Sequence, residues 1–422
     1  MTLTHEHVTE LRLEFPALQQ TIHGREIAFF DGPGGTQVHG SVIDAMVRYL
    51  TEANSNVHGQ FEFTRRTDET VSAARDAMAD FLHARRPEEI VFGPSMTALT
   101  FHISHAIARI LDPGDEILVT NLDHDANVAP WMALRERGAV IRAIDFDPTD
   151  CTLDLEALRS ALSSRTRLVA VGAASNAVGT VNDVQQIAEW AHKAGAWIYV
   201  DAVQYAPHAT IDVQAIDADF LACSAYKLFG PHLGMLWGRY ELLDRLPAFK
   251  VVPAGDGPPD KFEQGTGHFE AMAGTTAAVD YIASIGRRFG EPANGSRRSA
   301  IIEGMASVRS YECTLAERLI AGLQRIAGVR IYGVVDPARS EERMPVVSFT
   351  LEGRSPNEIA RRLGDEAIFV WSGDFYAIHV IDRLGLSEAG GLVRIGLNHY
   401  NTVAEVDRLL DAIERIACGA SG

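Results

Sequence analysis

The sequence predicts an α/β fold with a mostly parallel sheet, followed by a smaller α+β domain. Short apolar runs alternate with amphipathic helical stretches between residues 70 and 240, and this texture changes after residue 250. The chain has 422 residues, which is long enough for two or three domains. Strands that alternate with helices favour a parallel sheet covered on both faces, whose strands read as continuous apolar runs.

Six apolar runs are the candidate strands of this sheet. They are residues 88–93, 116–121, 140–146, 167–173, 197–202 and 220–226. Helical patterns lie between them, including residues 97–111 and 183–195. The second pattern begins at an acidic residue and ends at a glycine, as helix-capping preferences predict.

The part of the chain after residue 250 has short strands and long helices. A Pro/Gly-rich surface segment is followed by a helix from about residue 299 to Ala327, strands at 346–351 and 392–400, and a last helix from Thr402. One face of the last helix is apolar, through Val403, Val406, Leu409, Leu410 and Ile413. We predict an N-terminal segment (1–28) that joins the small domain, a large domain (29–290) and the small C-terminal domain (291–422).

Composition excludes several classes of function. The chain has 38 Lys+Arg against 56 Asp+Glu, and a net charge of −18 argues against nucleic-acid binding. No apolar run approaches the ~20 residues of a membrane helix, and the N-terminus lacks a secretory signal pattern. The cysteines are far apart without CxxC pairs, so we expect neither a disulfide scaffold nor a metal site, and a cytoplasmic location.

Two polar residues lie where predicted strands end. Asp201 belongs to the end of the run at 197–202, and Lys227 directly follows the run at 220–226. Ligands of open α/β sheets bind at this edge. A carboxylate and an amine suit pyridoxal 5'-phosphate (PLP), with Lys227 forming a Schiff base and Asp201 holding the pyridine nitrogen protonated. Taken alone, a strand-capping lysine and an ordinary loop aspartate remain an alternative.

Longer segments around these residues resemble a known family. In one order the chain contains LDHDANVAPW, ASNAVGTVNDV, YVDAVQYAPH, SAYKLFGPHLG, FEQGTG and VRIGLNHYNT, preceded by FFDGPGGTQV. They resemble the class V aminotransferases of PLP fold type I, and within them the cysteine desulfurase-like proteins of the SufS group. The resemblance covers nearly the whole chain, and implies that residues 29–290 bind PLP around a sheet of the seven-stranded type.

The resemblance implies roles for side chains around the cofactor ring. His124 stacks on the pyridine face, which a flat polarisable ring suits. Gln204 bonds the phenolic oxygen, and Asn176 lies at the same oxygen or at the substrate carboxylate. An asparagine in a β–α loop can also be a simple turn former. The implied catalytic residues are Lys227, His124 and Asp201.

A phosphate site is implied in the same way. Its candidates are Ser95, Met96 and Thr97 at a helix start, Ser224 and Tyr226 before the lysine, and Thr266. Free N–H groups at a helix start attract anions, although Ser95 and Thr97 fit the role of helix caps as well. Tyr226 replaces a family histidine, which keeps a donor and loses a possible charge. Thr266 corresponds to a phosphate ligand from the neighbouring subunit, which implies a homodimer with shared active sites.

The resemblance places the substrate beside Arg394. Its planar fork of donors fits an α-carboxylate, and a salt bridge within the small domain is the alternative. Loops at 30–38 and 54–61 would line the substrate mouth. Gly34 there permits close backbone approach, and His58 is a further candidate contact.

One segment departs from the family pattern. In cysteine desulfurases a mobile loop carries the thiolate that takes up sulfur as a persulfide, whereas residues 370–386 contain no cysteine and Tyr376 occupies the thiol's place. A phenol with a pKa near ~10 cannot replace a thiolate, so we predict that no persulfide forms. Tyr376 and His379 become candidate substrate contacts, His379 also as a second acid or base, unless the loop is only a lid.

Together these observations predict a PLP-dependent lyase or transferase that acts on a small amino acid. Lys227 would take the α-proton of the external aldimine to give a quinonoid, and cleavage of a C–S or other bond at the β-carbon is the first expectation. An aminotransferase or an amino-acid epimerase on the same scaffold is the alternative. A PLP-fold assembly partner of low activity is a further one.

Overall fold

Two sheets organise the molecule in the computed structural model, which describes residues 2–291 and 293–419. The strands are β1 (Thr21–Ile22), β2 (Arg25–Glu26), β3 (Ala28–Phe29), β4 (Ile90–Gly93), β5 (Glu116–Thr120), β6 (Val140–Ile144), β7 (Thr166–Gly172), β8 (Trp197–Asp201), β9 (Phe220–Ser224), β10 (Gly234–Gly238), β11 (Val329–Tyr332), β12 (Val346–Leu351), β13 (Ile368–Phe369), β14 (Trp371–Gly373) and β15 (Leu392–Gly396).

The larger sheet has seven strands in the order β4-β10-β9-β8-β7-β5-β6. The five strands from β9 to β6 are parallel to one another, and β10 runs antiparallel to both of its neighbours. This confirms the predicted α/β fold, and each of the six predicted strands is present. Strand β10 was not predicted, because its sequence GMLWG begins and ends with glycine and carries no strand pattern.

Helices cover both faces of the larger sheet and one side of the smaller one. They are α1 (His5–Arg12), α2 (Gly40–Glu52), α3 (Glu62–Leu82), α4 (Met96–Ala108), α5 (Ala129–Met132), α6 (Leu155–Ala161), α7 (Val184–Lys193), α8 (Val213–Ile216), α9 (Tyr240–Arg245), α10 (Phe269–Phe289), α11 (Arg297–Leu323), α12 (Pro356–Asp365), α13 (Ile378–Arg383) and α14 (Val403–Ala417). As predicted, the last helix starts after Thr402, whose side chain accepts from the N–H of Glu405 in a capping box.

The segment at 370–386, for which the sequence predicts a loop, contains a strand and a helix. It forms β14 at the edge of the smaller sheet, and α13 follows after a short turn. The pattern of the segment is too short for either element to be recognised, and β14 depends on pairing with β15.

The smaller sheet has the order β11-β12-β15-β14 and is antiparallel. Helices α11 and α12 pack against it, and α14 packs against these two helices. Helix α1 contacts α14 through an ion pair between Arg12 and Glu405 (2.9 Å). The three domain ranges remain predictions, and residues 1, 292 and 420–422 of those ranges lie outside the described residues.

The core is continuous between the two sheets. One cluster of buried apolar side chains includes Val169 and Val200 of the larger sheet together with Val347 and Ile395 of the smaller one. The loop that follows β7 contacts the smaller sheet, where Oγ of Ser348 donates to the carbonyl oxygen of Ala177. No helix within residues 2–291 and 293–419 is long and apolar enough to cross a membrane.

Helices α10 and α11 pack so closely that glycine is required at their contact. A Cβ on Gly304 would collide with the carbonyl oxygen of Ile282, and one on Gly286 with that of Ala300. We expect Gly304→Ala to lower the free energy of unfolding by about 1–3 kcal/mol, because the added methyl overpacks the contact. Urea denaturation measures the change.

Gly364→Ala is the matched control for this substitution. Gly364 also lies inside a helix, α12, and has open space where the Cβ would be. This substitution should raise the free energy of unfolding by about 0.5–1 kcal/mol, because alanine loses less backbone entropy. Equal destabilisation by both substitutions would contradict the tight α10–α11 contact.

Candidate active site

Polar side chains gather after the carboxyl ends of adjacent parallel strands. Asp123 and His124 follow β5, Asn176 follows β7, Asp201 ends β8, and Lys227 follows β9. The order of β5, β7, β8 and β9 in the sheet makes these positions neighbours. The sequence-predicted edge is thus assembled by the sheet itself.

Lys227 ends a short 3-10 turn after β9 and is buried, with 4% of its surface exposed. Its Nζ donates to the carbonyl oxygen of Pro33 and, at 3.4 Å, to Oε1 of Gln204. The pKa of Lys227 is lowered to about 7, mainly by burial and also by the positive charge of Arg394, while Asp201 opposes both. At neutral pH a large fraction of this amine is therefore an uncharged nucleophile or base.

Asp201 is also buried, and its Oδ1 accepts from the N–H of Val203 at 2.9 Å. Burial raises the pKa of Asp201 to about 6, whereas the Val203 N–H and the charge of Lys227 lower it. A cationic ring nitrogen beside this carboxyl would favour its ionised form.

Asp123 is a buried carboxyl that the sequence analysis did not single out. Its Oδ1 accepts from the N–H of Gly172 at 2.6 Å, and its Oδ2 accepts from Nδ2 of Asn127 at 3.2 Å. Burial raises the pKa of Asp123 well above its usual value, and the charge of Asp201 adds to this. Asp123 could have been predicted as a site residue from the sequence, because it follows a predicted strand and directly precedes His124.

His124 begins the short turn after β5, and its Nδ1 accepts from the N–H of Ala126 at 3.0 Å. This bond assigns the proton of the neutral imidazole to Nε2. The pKa of His124 is lowered to about 4, mainly by burial and also by the charges of Lys227 and Arg394. The imidazole is therefore neutral at pH 7, with the ring of Tyr376 stacked on it at a centroid distance of 5.5 Å.

Arg394 reaches the same place from β15 of the smaller sheet. Its Nη1 donates to the carbonyl oxygen of Asn176 at 2.9 Å, and its guanidinium lies 4.0 Å from the centroid of the Phe375 ring. Burial lowers the pKa of Arg394 to about 9, and Tyr226 and Asp31 oppose this. Within the described residues, Nε of Arg394 and Oδ1 of Asn176 are buried without a hydrogen-bond partner.

The turn after β14 covers this group of residues. The backbone N–H of Asp125 donates to the carbonyl oxygen of Tyr376 at 2.7 Å, and Nδ2 of Asn176 donates to that of Phe375 at 2.9 Å. Phe375 and Tyr376 both have a φ of 58°, in the left-handed region. Gly34 lies against Trp371, since a Cβ on Gly34 would collide with the indole ring.

The candidate phosphate residues adjoin the start of β10. Ser95 caps α4, with its Oγ accepting from the N–H of Ala98 at 3.1 Å. Gly234 pairs with Ser224 in the sheet and lies so close to the Ser95 backbone that a Cβ there has no room. The start of α4, with the backbone nitrogen of Met96, therefore lies against the residue that pairs with Ser224.

The ring of Tyr226 belongs to the site: its centroid lies 5.5 Å from Nζ of Lys227, and His232 stacks on it at a centroid distance of 5.5 Å. Three other predicted site residues have other surroundings. Thr266 is exposed, and His58 is exposed and paired with Asp68 at 3.4 Å. His379 is half-buried in α13. In the described part of the chain, no hydrogen bond, ion pair or ring contact joins His58, Thr266 or His379 to Lys227.

Comparison with known proteins gives the family. The family model described as aminotransferase class-V matches residues 28–409. The chain belongs to the class V aminotransferase family. The relatives below place it among the cysteine desulfurase-like members, which are PLP-dependent enzymes of fold type I.

Several relatives carry the same name. The chain is 33% identical to a probable cysteine desulfurase of Mycolicibacterium paratuberculosis, covering 98% of this chain and 59% of that protein. It is 31% identical to a probable cysteine desulfurase of Synechocystis, over 96% of this chain and 94% of the relative. The chain thus spans less than two thirds of the first relative and nearly all of the second. The apo structure of a cysteine desulfurase from Thermococcus onnurineus superposes with a TM-score of 0.86 at 28% identity, covering 99% and 100% of the two chains.

The residues present fit PLP. A buried amine, a buried carboxyl, a neutral imidazole and a helix N-terminus lie around one edge of the sheet, and buried polar atoms of Asn176 and Arg394 are unpartnered within residues 2–291 and 293–419. In the same described residues, no group of three His, Cys, Asp or Glu side chains is arranged to hold a metal ion.

The burial of Lys227 predicts its reactivity in cofactor-free protein. A small acylating reagent should label Lys227 half-maximally near pH 7, where its pKa lies. Arg394→Gln should move this midpoint to higher pH, because it removes a positive charge that lowers the pKa. Mass spectrometry of the Lys227 peptide across a pH series measures both values.

The exposed Lys193 is the internal reference for reagent strength in the same digest. A Lys227 midpoint near ~10, the value of an ordinary lysine, would contradict the desolvated amine.

Proposed function

We propose that this PLP enzyme cleaves a bond at the β-carbon of a small amino acid, with a carbon–sulfur bond as the first candidate, and that it does so without a protein persulfide. The observation that carries the proposal is the combination of a buried amine with a pKa of about 7, a buried arginine beside it, and a covering turn that bears Tyr376. Residues 370–386 contain no cysteine.

The cofactor site is proposed from the same geometry. Bound PLP supplies an aldehyde for an amine and a ring that withdraws electrons from the substrate's α-carbon. Lys227 holds the aldehyde, Asp201 holds the ring nitrogen and His124 lies on the ring face. The remaining cofactor contacts are Gln204, Asn176, Ser95, Met96, Thr97, Ser224 and Tyr226.

Arg394 orients the substrate through its carboxylate. Since Nη1 is bonded to Asn176, the Nε edge of the guanidinium remains for a carboxylate, which binds in the guanidinium plane. Phe375 lies against the guanidinium with its ring centroid at 4.0 Å, and Nε of Arg394 is buried without a hydrogen-bond partner within the described residues. Gly34 and Tyr376 are proposed to border the substrate, with His58 and His379 at the periphery.

Lys227, in its neutral form, takes the α-proton of the substrate. The electron pair of the carbon–sulfur bond then leaves with the sulfur, and the remaining enamine hydrolyses to a keto acid and ammonia. Cys223 does not replace the family thiol, because it is fully buried and its burial, together with Asp201, raises the pKa of its thiol. The sulfur is therefore released as sulfide or as a small thiol.

We also propose that the enzyme is a cytoplasmic homodimer with shared active sites. Thr266 supports the dimer, because it is exposed and matches a family residue that serves the neighbouring subunit. Free thiols at Cys151, Cys223, Cys313 and Cys418 are consistent with a reducing compartment.

A panel of amino acids tests the reaction. With cysteine and related β-substituted substrates, the PLP-loaded enzyme should release pyruvate, ammonia and the β-substituent in equal amounts, because one proton transfer to Lys227 leads to one cleavage. Coupled pyruvate detection and a sulfide assay measure the products.

Lys227→Ala should reduce this turnover by at least ~10³-fold, since the base and the covalent attachment are both lost. Transfer of the amino group to an added keto acid would instead indicate an aminotransferase. Loss of optical rotation without cleavage would indicate an epimerase.

Tyr376→Cys tests whether the covering turn stands where the family thiol stands. Since the turn is held by main-chain carbonyls, the thiol of the new residue should stand on the side of the turn that faces His124. There it should accept sulfur from the substrate cysteine. Mass spectrometry of the intact chain should show an added 32 Da (mass of one sulfur atom, ~32) on this variant. Tyr376→Ser is the matched control, and a persulfide on the unchanged chain would contradict the proposal.

A further inference from the structure

A chain of buried polar groups runs from Lys227 away from the substrate side. Nζ of Lys227 donates to Oε1 of Gln204 at 3.4 Å, and Nε2 of Gln204 lies 3.3 Å from Nε2 of His208. Nδ1 of His208 lies 2.8 Å from Oε2 of Glu312 on α11. The chain thus connects the lysine to a carboxyl that the sequence places 104 residues beyond His208.

All members of this chain are shielded from water. Gln204 and His208 are each 3% exposed, and Glu312 is completely buried. Removing a carboxyl and a histidine from water costs free energy, which the hydrogen bond between His208 and Glu312 offsets. Burial raises the pKa of Glu312, while the charges of His208 and Arg309 lower it.

The proton count of this pair determines which end of the Gln204 amide points to Lys227. With one proton, on Nδ1 and donated to Glu312, the bare Nε2 of His208 accepts from the amide NH2, and the amide oxygen faces Lys227. With a second proton, the Nε2–H group donates to the amide oxygen, and the NH2 group faces Lys227. The two arrangements have the same heavy-atom positions.

The charge at the lysine selects between them. A cationic Lys227 amine needs an acceptor, which the amide oxygen provides at 3.4 Å. An anionic oxygen bound at the same place, such as the phenolic oxygen of PLP, needs a donor, which only the NH2 group provides.

We propose that His208 and Glu312 are a positioning pair: when PLP binds, His208 takes up a second proton from solvent, and the Gln204 amide turns its NH2 group toward the phenolic oxygen. This rests on the proposed place of Gln204 in the cofactor site. The pair touches neither substrate nor cofactor and acts through Gln204 alone.

Other titratable groups surround the pair. Near Glu312 and His208 lie Arg309, Tyr311, Cys313, His399 and Tyr400. His399 has its pKa lowered to about 3 by burial, and by His39 and His208, so it is neutral and cannot supply the proton. Burial raises the pKa of Tyr311 to about 12, which excludes it as an acid at neutral pH.

Nitrogen-15 NMR of the histidine rings in the unchanged protein tests the proposal directly. Without cofactor, His208 should show a proton on Nδ1 and a bare Nε2; with PLP bound and no substrate, Nε2 should be protonated. The same state of Nε2 with and without PLP would overturn the proposal. Since no substrate is used, failure of β-cleavage leaves this result unaffected.

Glu312→Gln provides a second readout, because it keeps a hydrogen-bonding group and removes the charge that holds the second proton. We expect Nε2 to stay bare with PLP, the cofactor dissociation constant to rise at least ~10-fold, and the visible band of bound PLP to shift. Glu116→Gln is the matched control, a fully buried carboxyl paired with Arg142 at the opposite end of β5. It should change cofactor affinity less than ~2-fold. Equal effects of both substitutions would indicate a structural role only.

Discussion

The desolvated amine of Lys227 is the constraint on which the site depends. A lysine is stable in such a place only if its charge is easily lost or closely compensated. The parallel strands supply that setting, because their carboxyl ends bring Asp201, His124 and Lys227 to one edge, where Asp201 and Lys227 are buried and His124 is partly buried. Each pKa in the group then follows from burial first and from neighbouring charges second. The pKa of the Asp201 carboxyl is raised, whereas the pKa values of the Lys227 amine and the His124 imidazole are lowered.

A second constraint joins the two sheets. Arg394 belongs to the smaller sheet, yet its guanidinium donates to a carbonyl in the loop after β7. The charge of the arginine therefore lowers the pKa of Lys227, and burial lowers the pKa of the arginine itself to about 9. Substrate binding and proton transfer are therefore coupled through the charge of Arg394. A carboxylate bound at its Nε edge would neutralise this charge, which lowers the pKa of Lys227, and would raise that pKa. Family membership makes PLP the group around which this balance of charges is set.

Much of this arrangement was predictable from the sequence, for a physical reason. Continuous apolar runs reveal parallel strands, and residues just beyond such runs must meet at one edge, so Asp201 and Lys227 could be found without a structure. Asp123 carried the same signal and was overlooked. The pairing of His208 with Glu312 gives no local signal, because it joins a loop to a distant helix. The contact of Phe375 with Arg394 depends on a turn whose backbone is left-handed at two non-glycine residues, and no periodicity shows that.

The attachment of the covering turn has a consequence for how chemistry on this scaffold could diversify. Its anchoring bonds end on the carbonyl oxygens of Phe375 and Tyr376, so the backbone is held independently of which side chain stands at either place. A single codon change at 376 would exchange the side chain above the imidazole and leave these backbone hydrogen bonds intact. Anchorage and reactivity are separable here, which makes this position a natural point for divergence within a lineage.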